Sequence, residues 1–143
     1  MEGDILMKIQ ESAENYLETI LMLGKAKGNV RSIDIATALS FSKPSVSVAM
    51  KNLRENGYIL MDKDGFIALT EKGHEIAETI YERHTLLSSF LMYLGVSKET
   101  ATQDACRIEH VISPESFEAL KQHVYSHKEI MDIKDVKSDL QIK

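Results

Sequence analysis

The chain has one cysteine and two prolines in 143 residues. A single thiol excludes an internal disulfide, and a reducing compartment suits it. With so few prolines and only seven glycines, the chain has few breakers and helix should dominate. No run approaches the roughly 18 consecutive apolar residues of a membrane span. The charged stretch 1–11 lacks the apolar core of a secretory signal. The expected location is cytoplasmic, with no membrane partner. There is neither an HExxH pair nor a glycine-rich phosphate loop, and no further group has a clear role as the acid that orients a nucleophile. Enzyme activity and an organic substrate are therefore not expected.

What remains is an ordinary globular composition, with 43% hydrophobic residues. The length suits one domain, or two small units sharing a core. The net charge is −5, which taken alone argues against nucleic acid. Its distribution argues the other way. Between Gly24 and Lys63 stand seven basic residues and three acids, against ten basic and nineteen acidic residues elsewhere. Phosphate binding needs a local basic face, not a basic protein.

An apolar stripe over 12–23 predicts a first helix, from Ala13, Tyr16, Leu17, Ile20, Leu21 and Leu23, with Gly24 and Gly28 at its exit. Ser32 reads as the cap of a short helix to Leu39, with Ile33, Ile35, Ala36 and Leu39 facing inward. After the turn Ser40-Phe41-Ser42, Ser42 caps a second helix with Pro44 in its first turn. That helix buries Val46, Ala49, Met50 and Leu53, and Gly57 ends it. Two short apolar runs, 58–61 and 66–69, flank Asp62-Lys63-Asp64-Gly65, a hairpin signal. Helix, helix and hairpin in this order make a winged helix-turn-helix.

In that unit Ser42, Lys43, Pro44, Ser45, Ser47 and Lys51 sit on the second helix after a tight turn, the position that meets the DNA groove. The hydroxyls suit phosphate and close groove contacts, while Arg31, Lys43, Lys51 and wing Lys63 suit phosphate.

Thr70 caps a long helix ending before Gly95, Ser97 caps the next, and Ser113-Pro114-Glu115 starts another that runs to about Tyr125. Beyond Ser126 the pattern allows a last helix or a frayed tail. The fold class is thus mainly α: a winged helix-turn-helix (1–73) followed by an all-helical unit (74–143) for metal binding and dimerisation. The crowded Leu86, Leu87, Phe90, Leu91, Met92, Tyr93 and Leu94 exceed what one small monomer needs. Such a surplus usually seals a symmetric dimer that reads two half-sites.

Within the second unit, Cys106-Arg107-Ile108-Glu109-His110 places a thiol, a carboxylate and an imidazole at i, i+3 and i+4, on one helix face. These are three transition-metal ligand types within about one turn. A thiolate favours softer or borderline ions such as Fe(II), Co(II), Ni(II) or Zn(II), whereas an oxygen and imidazole shell favours Mn(II).

The chain resembles the diphtheria-toxin-repressor and manganese-transport-regulator family of metal-dependent repressors. The matching segments are Glu14-Asn15-Tyr16-Leu17-Glu18, the helix-turn-helix of 32–57, Arg83-His84, and the string from Asp104 through Cys106, Glu109 and His110 to Ser113. The resemblance runs over about 12–125. It implies that Cys106, Glu109 and His110 form the main ligand cluster and that His84 on the long helix joins it. It also implies Glu18 and Asn15 as first-helix ligand positions. Cys106 is the choice of the iron branch and Glu18 that of the manganese branch, so the chain is mixed. The expected cofactor is Fe(II) or Mn(II), with a slight lean to iron from the thiol; Zn(II), Co(II) or Ni(II) are expected to bind in vitro. At the family's ancillary site Ser88 and Thr102 replace the usual ligands, and the chain stops before the SH3-like domain of many iron-branch members.

The expected function is metal-dependent repression of metal-homeostasis genes by a homodimer on a palindromic double-stranded operator. The alternative is a winged-helix regulator that responds to a non-metal ligand, with a structural Cys106 cluster.

Overall fold

The computed structural model describes residues 2–127 and Ile130, with side chains from Glu11 onward. The chain forms α1 (Glu2–Lys27), α2 (Ser32–Leu39), α3 (Lys43–Glu55), β1 (Ile59–Met61), β2 (Ile67–Leu69), α4 (Glu71–Tyr93), α5 (Lys98–Ile108) and α6 (Pro114–Ser126). No helix among the described residues is long and apolar enough to cross a membrane. The chain divides into two compact units, one ending at Glu78 and the other beginning at Thr79.

The first unit is a winged helix-turn-helix. Its core takes Leu17, Ile20 and Leu21 from α1, Ile35 and Ala36 from α2, and Val46, Met50 and Leu53 from α3, closed by Val30, Ile59 and Ile67. The wing is antiparallel, with Ile59 opposite Leu69 and Met61 opposite Ile67. Asp62 shapes its turn by accepting the N–H groups of Asp64 and Phe66, each at 2.9 Å, and Gly65 takes a φ of +84°. Val30 adds a bridge to Ile67 that the sequence pattern did not announce.

Three local expectations change. The first helix is far longer than its stripe, because an apolar stripe marks where a helix packs and not where it ends. Gly24 lies inside α1; only Gly28, at φ +86° with its N–H on the Gly24 carbonyl, closes it. Ser32 is the first residue of α2 and Arg31 its cap, since the Asp34 carboxylate reaches back to the Arg31 N–H at 2.9 Å. Ile33, expected inside, is 44% exposed, because the buried side of the short helix is centred on Ile35 and Ala36 and Ile33 lies at its margin. The other caps hold: Ser42, Ser97 and Ser113 each accept the backbone N–H three residues on.

The second unit packs Leu86 of α4 against Phe117 and Val124 of α6 and Ile130, with Phe90, Ile112 and Leu120 alongside. The apolar crowd on α4 therefore divides: Leu86 and Leu87 are buried in the chain's own interior, while Tyr93 and Leu94 remain exposed. The segment expected as a last helix or tail lies, Ile130 apart, outside the described residues.

One close approach fixes the start of α4. The Thr70 hydroxyl donates to the Gly57 carbonyl at 2.7 Å and accepts the Gly73 N–H at 3.1 Å, while the Thr70 N–H meets the Tyr58 carbonyl at 3.0 Å. The first turn of α4 is thereby pressed onto the exit of α3, and a Cβ on Gly73 would stand 2.1 Å from the Tyr58 carbonyl oxygen. Backbone must move to admit it. Gly73→Ala is expected to destabilise the protein by about 1–3 kcal/mol in denaturant unfolding; an unchanged midpoint would show that this contact is looser than described.

Candidate metal centre and nucleic-acid interface

The second unit gathers its chemistry around Glu109. The sequence pattern continues helix through His110, but α5 ends at Ile108 and Glu109 is its cap residue. Glu109 keeps helical backbone, with its N–H on the Ala105 carbonyl at 2.9 Å, and the Ile112 N–H returns to the Ile108 carbonyl at 2.9 Å. Cys106, Glu109 and His110 thus straddle the helix exit and keep their common face. The β-branched Val111 and Ile112, followed by Ser113-Pro114, stop the helix there.

The Glu109 side chain is completely buried. One carboxylate oxygen lies 2.8 Å from Nδ1 of His84, and the other lies 3.4 Å from Nε2 of His110. Both imidazoles are almost entirely covered, whereas Cys106 is exposed. The donor atoms of Cys106, Glu109 and His110 all lie within 4.8 Å of one another. Two ligands of one ion, each about 2.1 Å from it, stand roughly 3.0–3.4 Å apart. The 3.4 Å spacing to His110 has that size, the 2.8 Å approach of His84 is a hydrogen-bond length, and the donor set of carboxylate, imidazoles and thiol fits a divalent transition metal.

Arg83, beside His84 on α4, holds this exit in place. Its Nη1 donates to the carbonyls of Glu109 and Ile112, each at 3.1 Å, and its guanidinium lies over the Phe117 ring. Helix-terminal carbonyls that α5 cannot satisfy are satisfied from α4. Sequence reading noted Arg83 only as part of a matching segment and gave it no task. An arginine next to a candidate ligand, on the inner side of a helix, was the available signal. Ser88, at an expected ancillary position, is buried with its hydroxyl on the His84 carbonyl.

Glu18 and Asn15 lie three residues apart on α1 of the first unit; Glu18 is buried and Asn15 half-buried.

The candidate DNA contacts are all exposed on the first unit: Arg31, Ser42, Lys43, Pro44, Ser45, Ser47, Lys51 and Lys63. Ser42 accepts the Ser45 N–H at 3.3 Å and donates its proton to the Ser45 hydroxyl at 2.8 Å, which leaves the Ser45 O–H as a donor. The Arg31 guanidinium lies 4.4 Å from the centre of the Phe66 ring, so the wing presents Arg31 in a fixed position. Phe66 had been read only as a strand residue.

The family model described as "Iron dependent repressor, N-terminal DNA binding domain" matches residues 8–66, and "Iron dependent repressor, metal binding and dimerisation domain" matches residues 70–130. The chain is 36% identical over 128 residues to the HTH-type transcriptional regulator MntR of Bacillus subtilis, covering 89% of this chain and 90% of the relative. It is 35% identical over 118 residues to the transcriptional regulator MntR of Escherichia coli O157:H7, covering 82% and 76% respectively. Among solved structures, the manganese regulator SloR superposes with a TM-score of 0.71 at 31% identity, over 79% of this chain and 53% of that one. The chain thus spans about half the length of that structure. These relatives are transcriptional regulators, not enzymes. With a DNA-binding module and a metal-binding and dimerisation module in succession, the chain belongs to the family of metal-dependent transcriptional repressors that includes the diphtheria-toxin repressor and MntR.

Proposed function

We propose that this chain is a homodimeric repressor that binds a palindromic operator when Fe(II) or Mn(II) is held by His84, Glu109, His110 and Cys106. The observation that carries the reading is the buried Glu109 carboxylate set between two imidazoles, with the donor atoms of Cys106, Glu109 and His110 within 4.8 Å of one another. Glu18 and Asn15 on α1 would complete the shell. In support, Glu18 is a carboxylate kept at 5% exposure beside the apolar Leu17, Ile20 and Leu21. Bound there, the divalent ion supplies the positive charge that lets buried carboxylates and imidazoles share one space.

Division of labour follows the chain. Residues 1–73 read DNA, and residues 74–143 hold the metal and the dimer contact. If ligands come from both parts, their relative orientation is fixed when the shell is complete, and in a dimer that sets the spacing of the two recognition helices. The nature of the ion turns on Cys106: ligation by its sulfur favours Fe(II), and ligation by oxygen and imidazole groups alone favours Mn(II), the metal in the description of SloR. Such a regulator acts in the cytoplasm, on genes of metal homeostasis.

The test is anaerobic binding to the DNA upstream of the protein's own gene after chelation, with Fe(II), Mn(II), Zn(II) or Co(II) restored in turn. Tight binding only with metal, absent in the double variant Glu109→Ala/His110→Ala, is expected. Equal binding with and without metal would leave a winged-helix regulator of another ligand, with a structural Cys106 cluster. A second expectation concerns Arg83, which positions Glu109 without being a ligand. Arg83→Met should weaken metal binding by about 10–100-fold in a competition titration, the usual effect of losing a group that orients a ligand; unchanged affinity would remove Arg83 from the account.

A further inference from the structure

Recognition helix α3 carries one side chain that its own fold does not use. Val48 is 62% exposed, in the middle of the helix. At 3.6 residues per turn it shares a face with Pro44 and Lys51, opposite the buried Val46, Met50 and Leu53. An outward β-branched residue lowers helix propensity and here gains no burial within the chain. Other exposed positions of the helix are polar or charged, apart from Pro44: Lys43, Ser45, Ser47, Lys51, Asn52, Arg54 and Glu55. Val48 is thus a small apolar spot on a polar face, beside Lys51.

Those surroundings decide the occupant. A protein partner would be expected to bury a wider apolar patch, whereas Lys51 on the same face, with Lys43 and Arg54 elsewhere on the exposed part of the helix, complements a polyanion. The helix belongs to the segment matched by a DNA-binding domain, and Val48 is its sixth residue, in the half of a recognition helix that contacts base edges. In the major groove the apolar feature of matching size is the C5-methyl group of thymine. A valine can neither donate nor accept a hydrogen bond, so it cannot read a base by hydrogen bonding.

We infer that Val48 is a specificity-determining residue that packs on the methyl group of one thymine in each operator half-site. This rests on the DNA-binding reading above. It assigns one base to one side chain by apolar contact, at a residue outside the sequence-predicted set of Arg31, Ser42, Lys43, Pro44, Ser45, Ser47, Lys51 and Lys63. The signal was available as a valine two positions off the inward stripe of α3.

The test uses the metal-loaded full chain and a duplex selected by it from a random library. Each thymine is then replaced singly by deoxyuridine, which removes only the methyl group. The wild type should lose roughly three- to fivefold in affinity at one position per half-site, the size expected for one buried methyl. In Val48→Ala that position should become indifferent to the replacement, with the salt dependence of binding unchanged; Val48→Ile should keep the sensitivity. Deoxyuridine tolerated at every position by the wild type would overturn the inference. So would a Val48→Ala variant that binds both duplexes more weakly by the same factor, which would place Val48 in a contact between proteins. Failure to select any sequence would overturn the DNA-binding reading and this inference together; the other two results leave that reading standing.

Discussion

A fully buried carboxylate is the constraint around which the second unit is organised. Removing a carboxylate from water costs several kcal/mol unless partners compensate it. Glu109 has imidazoles on both sides, from His84 on α4 and from the adjoining His110. Its own carbonyl is held by Arg83, the neighbour of His84 on the same α4. The exit of α5 is therefore fixed to α4 through backbone and side chain at once, and the ends of Arg83 and His84 reach the same residue.

The second unit holds these donor groups together through its own contacts. Cys106, Glu109 and His110 bring a thiol, a carboxylate and an imidazole within 4.8 Å of one another, with the exposed Cys106 at the edge of the buried pair. Affinity alone would not choose the physiological ion, since most nitrogen, oxygen and sulfur sites follow the same general order of metals. Donor identity and geometry make the choice. The DNA-reading unit is shaped by a different logic. Its core is apolar apart from Glu18 and Thr19 of α1, its candidate DNA-contact residues are exposed, and its wing is stiffened by Asp62 and by Arg31 over Phe66.

Much of this was legible in the chain. Caps were the clearest signal: Ser42, Ser97 and Ser113 each stand where a serine followed by a helix-favouring run predicts a start. The hairpin followed from Asp-Gly between two apolar runs, and the winged fold from the order of elements. Cys106, Glu109 and His110 were found together because i, i+3 and i+4 share a face whether or not the helix formally continues. Less legible was anything set by distant contacts. The extension of α1 has no stripe to announce it. Ile33 fits an inward pattern but lies at the margin of the buried side. His84, twenty-five residues from Glu109, was tied to it only by resemblance, since periodicity cannot say which helix another will meet. Arg83 and Phe66 act through partners that no local pattern names.

The central claim is that metal and DNA act on one coupled equilibrium. The most direct test is the affinity for Mn(II), measured with and without saturating operator DNA, in the wild type and in Glu18→Ala. Thermodynamic linkage requires that DNA tighten metal binding by the same factor by which metal tightens DNA binding. The account predicts a clear tightening in the wild type and its loss in Glu18→Ala, with the metal still held by the second unit. Identical metal affinity with and without DNA would contradict it.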